Sequence, residues 1–320
     1  MLFKNLLKWM IMTTVIITIS SKSWFIYWLM MEMNLLMFIP ILNSKKKNSS
    51  NSMISYFIIQ SFSSNLFLFS MLNFEIMAIK FFCFTAMMSI MIKLAIIPFH
   101  FWLTNLSEML DFKSLFLILT IQKVIPLFIL SSIKMNILSI FVMISSIFAS
   151  IFVLNLKSLK KILIFSSISH QSWMIVLMLI SSNFWISYMI VYSILIYKIT
   201  SMLIKINSNY INNLIYTKSD FNIKITFCMM MLSLGGMPPF LGFLMKFISI
   251  LIIMNSSSMM ISILIMSSII NIFIYVRAIM PNLFINLMNT KIYMLTKMNI
   301  KNLILNINIM IAIFSMNLMI

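Results

Sequence analysis

Four ionisable side chains stand in the middle of long apolar runs, where they could carry protons. Glu32 interrupts YWLMMEMNLLMF, Lys93 lies in MIKLAIIPFHFW, Lys123 in LILTIQKVIPLF, and Lys246 in SLGGMPPFLGFLMKF. A charge at the centre of a bilayer costs about 2.5–3.5 kcal/mol on insertion scales, so such groups are rare and mark functional sites. Burial favours the neutral form of an amine, and a nearby carboxylate restores its charge. The pattern therefore predicts a proton relay.

Helix breakers accompany the three lysines. Pro98, Pro126 and the prolines at 238–239 each lie within about two helical turns of one of them, and all three glycines of the chain lie in the last of these stretches. A proline deprives the carbonyl four residues earlier of its helical hydrogen bond. In lipid that carbonyl needs another helix, water or an ion as partner. We expect polar, hydrated pockets at membrane depth beside the lysines.

Glu32 is the only acid placed to partner a lysine within the membrane, and we predict that it pairs with Lys93. His100, in PFHFW, and His170, in SSISHQSW, are further candidates, because histidine titrates near neutral pH. Each histidine could equally be a hydrogen-bonded contact between helices, and the residues alone do not separate these roles.

Composition places these residues in a membrane protein. The chain has 320 residues, of which 62% are hydrophobic and 9% charged, and this excludes a soluble globular domain. Apolar runs of about 20 residues follow one another, without the alternation that barrel strands would show, so we predict helices. The net charge of +18 does not indicate nucleic-acid binding, because most lysines lie in short loops that orient the protein or meet lipid phosphates.

The sequence also restricts cofactors and origin. Cys83 and Cys228 are isolated, and the glycines form one cluster, so zinc, iron–sulfur, dinucleotide and Walker motifs are excluded. We expect no cofactor in this chain, and no cleavable presequence before the first apolar run. Methionine is abundant, with 36 residues, while glycine and arginine are scarce, which favours an organelle genome, that of an animal mitochondrion.

Hydropathy predicts an all-α polytopic fold with eleven transmembrane helices. The fourth and ninth contain helix breakers and are predicted to be discontinuous. If residues 1–132 and 137–280 are two five-helix repeats, each is interrupted in its fourth helix, and the odd number of helices makes the second repeat inverted. Residues 303–320 form a final helix. The predicted spans lie near 3–20, 24–42, 53–73, 75–102, 113–132, 137–156, 161–180, 184–205, 225–253, 258–279 and 303–320.

Loop lysines predict the orientation. Under this count roughly 15 fall on one side of the membrane and about 3 on the other, as the positive-inside rule expects, so the amino terminus is predicted on the matrix side. Lys198 and Arg277 lie nearer the ends of their spans, where the simpler interpretation is that the long side chain reaches the interface.

Four stretches, in chain order, carry a family resemblance. KLAIIPFHFW, QKVIPL, SSISHQSWM and SLGGMPPFLGFLMKF, with the early glutamate, resemble mitochondrial NADH dehydrogenase subunit 2, an antiporter-like membrane subunit family of respiratory complex I, in an insect version. The resemblance covers roughly residues 20 to 250. It implies Glu32 and Lys93 as a coupled pair, Lys123 as the connecting lysine and Lys246 as the second-repeat lysine near the exit path.

Two positions depart from the family pattern. Ala95 stands where a glycine is frequent, and Met245 stands where a proline commonly precedes the last lysine. Neither change touches an ionisable group, but both affect the local helix geometry.

The resemblance implies a proton-translocating membrane subunit of NADH:ubiquinone oxidoreductase in the mitochondrial inner membrane, driven by redox chemistry in other subunits. Its expected partners are the other membrane subunits of complex I and lipids such as cardiolipin. Two alternatives stay open at this point: a free-standing cation/proton antiporter with the same fold, and a scaffold subunit that does not pump.

Overall fold

A computed structural model of the protein describes residues 2–43, 49–73, 79–133, 135–216, 221–254, 256 and 258–289. Within these ranges the chain is helical, apart from turns and one isolated β-bridge between Ser158 and Tyr210. It forms two compact units, residues 1–145 and 146–320. The division falls inside a helix rather than in the predicted linker near residue 135, and the two predicted repeats stay a prediction.

In the first unit, consecutive helices pack side by side because they are apolar on most of their surface. Each of the first four helices packs against the next one in the chain, and the seventh helix packs against the fourth. The helices are α1 (Leu2–Ser20), α2 (Trp24–Leu42), α3 (Ser49–Leu72), α4 (Ile79–Leu94), α5 (Phe101–Met109), α6 (Phe112–Leu119) and α7 (Ile121–Ser132), followed by α8 (Ile137–Val153), in which the division falls.

The second unit is built around one helix that is buried along almost its whole length, α9 (Leu159–Leu179). Three later helices pack against α9: α10, α13 and α14. The core of this unit is thus the helix that carries SSISHQSW. The other helices are α10 (Phe184–Ile206), α11 (Asn213–Tyr216), α12 (Phe221–Gly235), α13 (Leu241–Ile253) and α14 (Ser258–Asn289).

Much of the predicted span pattern is present. In the described ranges, seven helical segments are long and apolar enough to cross a membrane, and α8 and two segments within α12 and α13 are shorter apolar helices. The predicted ninth span, 225–253, is divided into α12 and α13, as expected. The predicted fourth span, 75–102, contains α4 and the break after it, but α5 extends beyond the predicted end of the span to Met109. The predicted span at 303–320 lies outside the described residues, so the count of eleven stays a prediction.

The fifth span has a break that the sequence did not indicate. Thr120 separates α6 from α7 with backbone angles φ −119° and ψ −84°, outside the helical region. Its amide and its hydroxyl both bond the carbonyl of Phe116, at 3.1 and 2.7 Å. The backbone therefore opens three residues before Lys123, rather than at Pro126, which lies inside α7.

The break between α4 and α5 ends the first helix with a left-handed residue. Ala95 has φ 57°. The amide of Ile96 donates to the carbonyl of Met91 at 3.2 Å, and the amide of Phe99 donates to that of Ile96 at 2.7 Å. A bond that spans five residues after a left-handed position is the Schellman pattern of helix termination.

The break between α12 and α13 repeats this pattern. Gly236 has φ 83°, the amide of Met237 donates to the carbonyl of Leu232 at 3.2 Å, and the amide of Phe240 donates to that of Met237 at 2.9 Å. Each bond has the same sequence separation as its counterpart after α4. The two breaks therefore share one local backbone design, with glycine at the left-handed position in only one of them.

Candidate functional site

The first unit gathers three of the four predicted ionisable residues on neighbouring helices. Glu32 lies half-buried on α2, Lys93 lies in the last turn of α4, and Lys123 lies in the first turn of α7. Both α2 and α4 pack against α7. Lys93 is 8% exposed and Lys123 is 3% exposed, so both side chains lie inside the protein and do not extend to its surface.

Glu32 interacts with two polar residues. Its carboxylate accepts a hydrogen bond from the hydroxyl of Ser64 on α3. It also lies within electrostatic range of the amine of Lys93. The functional coupling of Glu32 and Lys93 stays a prediction.

Lys93 and Lys123 line the same small cavity, which has room for about one water molecule. Amines that share a cavity with polar side chains can exchange a proton through such a water. The other lining residues include Tyr56, Gln60, Trp102 and Gln122.

An amide pair anchors one wall of this cavity. Asn34 on α2 and Gln122 on α7 bond each other reciprocally, with N–O distances of 2.9 and 3.1 Å, and the hydroxyl of Tyr56 donates to the Gln122 oxygen at 3.4 Å. Sequence reasoning did not single out these side chains. In the sequence, each of these residues is only a polar side chain within an apolar run. Many other polar residues of the chain occur in the same way, so these three could not be distinguished from them.

In the second unit, Lys246 bonds directly to the broken backbone. It lies on α13, is 7% exposed, and its amine donates to the carbonyl of Gly235 at 2.5 Å. Gly235 is the last residue of α12, so this carbonyl belongs to a helix end that lacks its usual partner. Pro238 predicts a freed carbonyl four residues earlier, at Leu234, whereas the lysine bonds the carbonyl of the next residue, Gly235.

The glycine cluster makes room for this contact. A Cβ atom on Gly236 would lie 2.9 Å from Cδ of Lys246, and one on Gly242 would lie 1.7 Å from the carbonyl oxygen of Ser233. A Cβ on Gly235 would lie 3.0 Å from Cδ2 of Tyr275. Any larger residue at 242 would push α13 away from α12, and with it the lysine.

The two histidines occupy different surroundings. His170 on α9 lies with Nδ1 2.9 Å from the hydroxyl of Tyr188 and its ring 5.2 Å from that of Tyr192. It also lines a cavity that reaches Gly242 and Met245, one residue from Lys246. His100 is buried at the start of α5, where its ring lies 4.1 Å from that of Phe101. It is not among the residues that line the cavity of Lys93 and Lys123.

Arg277 has partners that the sequence did not indicate. Its guanidinium on α14 donates to the carbonyls of Val153 at 3.4 Å, of Leu154, and of Leu156 at 3.0 Å. These carbonyls lie at the end of α8 and just beyond it, where a cation satisfies groups that the helix leaves without partners. Arg277 is therefore a helix cap, and the simpler interpretation of a side chain reaching for the interface is not needed. Lys198 is half-buried on α10.

Two further lysines of the second unit, Lys160 on α9 and Lys224 on α12, are buried within helices rather than exposed in loops. As for metals, the described residues contain no group of three or more His, Cys, Asp or Glu side chains close enough to hold an ion.

The family model described as NADH:quinone oxidoreductase/Mrp antiporter, TM, matches residues 21–274. This chain belongs to that family. The matched range contains all four predicted ionisable residues of the relay. It also contains both helix breaks.

Curated relatives extend the match to nearly the whole chain. A protein of the tick Rhipicephalus sanguineus, named NADH-ubiquinone oxidoreductase chain 2, is 43% identical over 97% of this chain and 98% of the relative. The protein of the same name from Anopheles gambiae is 35% identical over 80% of this chain and 77% of the relative. These comparisons support an arthropod-like sequence, and the narrower expectation of an insect stays a prediction.

Solved structures support the fold. A chain of respiratory complex I from Thermus thermophilus superposes with a TM-score of 0.80 at 18% identity, covering 88% of this chain and 70% of that one. A chain of the Mrp complex from Dietzia gives a TM-score of 0.75 at 13% identity, covering 85% of this chain and 59% of that one. This chain therefore shares its helical fold with a chain of each of these two complexes.

Proposed function

We propose that this chain is a proton-translocating membrane subunit of NADH:ubiquinone oxidoreductase, respiratory complex I. The observation that carries the proposal is the burial of three lysine amines beside broken helices and polar side chains, within a chain whose relatives of nearly equal length bear that enzyme's name. A charged group within the membrane is costly and marks a functional site, and these three amines differ from other buried lysines in lying beside helix breaks.

The relay proposed for the first unit begins at Glu32. When its carboxylate is ionised, it favours the protonated form of Lys93, and when that charge is neutralised or drawn away, the proton of Lys93 is released more readily. The shared cavity lets the proton pass to Lys123 through a water molecule. The Asn34–Gln122 pair holds α2 and α7 together beside this step.

In the second unit, the proposed proton carrier is Lys246, which interacts with a backbone carbonyl instead of a carboxylate. A carbonyl at the end of a helix carries partial negative charge, so the bond to Gly235 offsets part of the cost of burying the Lys246 amine. Release of this proton requires the amine to leave the carbonyl. The charge of Lys246 thus depends on the geometry of the α12–α13 break.

The proposal includes the larger architecture. The shared design of the α4–α5 and α12–α13 breaks supports two five-helix repeats, and an odd number of helices in each repeat makes them inverted. The chain would lie in the mitochondrial inner membrane with its amino terminus in the matrix, among other membrane subunits of complex I and lipids such as cardiolipin. It would hold no cofactor, and the redox energy would come from neighbouring subunits.

The test is the proton yield of the assembled complex. We expect Lys246→Met to lower the number of protons moved per NADH oxidised by complex I in sealed vesicles, while the complex still assembles. Lys198→Met is the matched control, because Lys198 is also a lysine within a helix of the second unit, is half-buried, and lies outside the proposed relay.

Each alternative predicts a distinct result. An unchanged proton yield in Lys246→Met, with normal assembly, would identify a scaffold subunit that does not pump. A chain that purifies without any NADH-oxidising partner would instead support the free-standing antiporter.

A further inference from the structure

The break between α4 and α5 is bridged by a side chain that has no place in the relay described so far. Trp102 on α5 donates its indole N–H to the carbonyl of Ile92 on α4, at 3.1 Å. Ile92 directly precedes Lys93 and lies in the last turn of α4, where carbonyls lack their usual helical partners. The amide of Ala95 donates to the same carbonyl, at 3.1 Å. Trp102 therefore attaches the helix after the break to the turn that carries Lys93.

The same indole forms part of the cavity wall in the first unit. Trp102 lines the cavity that Lys93 and Lys123 share, together with Tyr56. The ring centroids of Trp102 and Tyr56 lie 6.0 Å apart, and the Tyr56 hydroxyl donates to the side-chain oxygen of Gln122 at 3.4 Å. Tyr56 lies on α3 and Gln122 on α7. Through these contacts Trp102 links the α4–α5 break to the amide pair that joins α2 and α7.

The matching break in the second unit is bridged by a different kind of group. There the donor is the amine of Lys246, which bonds the carbonyl of Gly235 at 2.5 Å. A lysine amine changes charge when it binds or releases a proton, so the strength of that bond changes with it. An indole N–H only donates and does not titrate. The bond across the first break therefore stays the same whether or not Lys93 carries a proton, and Lys93 remains available to interact with Glu32.

We infer that Trp102 is a positioning residue of the proposed relay: its bond across the break fixes the last turn of α4, and with it the place of Lys93 relative to Glu32. The inference rests on the proposed function. Ala95 adopts the left-handed angle of this break although it has a Cβ atom, so the break depends on contacts from outside the turn, and the Trp102 bond is one of them. Without the indole N–H, the last turn of α4 loses this attachment and Lys93 moves relative to Glu32.

The bond is tested by removing the indole N–H in the assembled complex. Trp102→Phe keeps an aromatic ring and loses the donor, and we expect a proton-pumping rate in sealed vesicles lower by about two- to tenfold, the equivalent of one hydrogen bond. Trp28→Phe is the matched control, because Trp28 is also half-buried in the first unit and its buried indole nitrogen has no hydrogen-bond partner among the described residues. We expect this control to keep the rate. Equal slowing in both variants, or an unchanged rate in Trp102→Phe, would overturn the inference.

A double-mutant cycle separates positioning from general support of the packing. Glu32→Asp keeps the negative charge but shortens the side chain by one methylene group, so it also changes the distance from the carboxylate to Lys93. If Trp102 acts through that distance, the rate of the combined variant departs from the product of the two single effects by more than about twofold, because residues of one network are coupled. Agreement with the product would show that Trp102 only supports the packing, and would overturn the inference. Trp28→Phe combined with Glu32→Asp is expected to give the product.

The two proposals fail in different ways. If Lys246→Met lowers the proton yield while Trp102→Phe keeps the rate of the unmodified complex, the positioning role is wrong and the proposed function stands. If Lys246→Met itself leaves pumping unchanged, the proposed function fails and the inference fails with it. Should Trp102→Phe prevent assembly, Trp102→Tyr replaces it in the same cycle, because its ring carries one more heavy atom and it also lacks the indole N–H.

Discussion

At the scale of single residues, two of the buried lysines interact with different kinds of group. Lys93 is under the influence of a carboxylate, so its charge responds to events at Glu32. Lys246 is bonded to a backbone carbonyl, so its charge responds to the geometry of a helix break. The first device is electrostatic and the second is conformational, and a relay that contains both can be driven by a change of charge or of shape.

Ser64 tests the electrostatic device. Its hydroxyl bonds the Glu32 carboxylate, and a hydrogen bond to a charged group is worth about 1.5–3 kcal/mol. We expect Ser64→Ala to slow proton pumping by the assembled complex, because the Glu32 carboxylate then loses the hydrogen bond that fixes its position between α2 and α3. The measurement is the initial rate of acidification or alkalinisation in sealed vesicles.

The control for this prediction lies one turn away on the same helix. The hydroxyl of Ser61 bonds the carbonyl of Ile58 in its own helix, so Ser61→Ala is expected to leave the rate unchanged. Equal slowing in both variants would mean that α3 has been perturbed as a whole, and would remove the argument for Ser64.

The residue types alone indicated which charges lie deep in the protein, but not what each charge touches. Glu32, Lys93, Lys123 and Lys246 stood out because an ionised group within an apolar run is expensive. Serine and asparagine occur throughout these runs, so Ser64 and Asn34 could not be distinguished from neighbours that serve only their own helix. The carbonyl beside Lys246 was missed by one residue, because the left-handed turn at Gly236 moves the end of α12.

At the scale of helices, the two matching breaks differ in the residue at their left-handed position. Gly236 adopts φ 83° without a steric penalty, whereas Ala95 adopts φ 57° with a Cβ atom. Left-handed backbone costs a residue with a Cβ about 1–2 kcal/mol. The break after Lys93 is therefore formed against a local preference, and the surrounding packing must supply the difference.

This difference predicts an unusual effect of glycine. Ala95→Gly is expected to leave the thermal stability of the assembled complex unchanged or to raise it, because it removes the penalty of the left-handed angle. Ala86 is an equally buried alanine in the middle of α4, and there Ala86→Gly is expected to destabilise by about 1 kcal/mol. The measurement is the midpoint of thermal inactivation, and a loss of stability in Ala95→Gly as large as in Ala86→Gly would contradict the prediction.

The positions of the helix breaks were only partly predictable. Proline and glycine marked the α4–α5 and α12–α13 breaks, because they change backbone conformation wherever they occur. The break at Thr120 has neither residue, and threonine is common within apolar helices, so the opening before Lys123 depends on tertiary packing. Arg277 is a similar case, since its partners lie more than 120 residues away along the chain.

At the scale of the whole molecule, the described helices and the loop charges must agree on a single topology. Lys157 lies between α8 and α9, on the side predicted to be positive, and Asn183 lies between α9 and α10, on the other side. Both side chains are exposed. Since α9 has 21 residues, it is long enough to separate these two loops by the thickness of a bilayer.

This topology predicts opposite labelling of two engineered cysteines. In a chain with Cys83 and Cys228 replaced by serine, we expect Lys157→Cys to react with a membrane-impermeant maleimide only in inverted vesicles, where the matrix side faces the solution. We expect Asn183→Cys to react only in vesicles of the native orientation. The reversed pattern would place the amino terminus on the other side, and labelling of both cysteines from one side would mean that α9 does not cross the membrane, so that the inverted repeats would lose their topological basis.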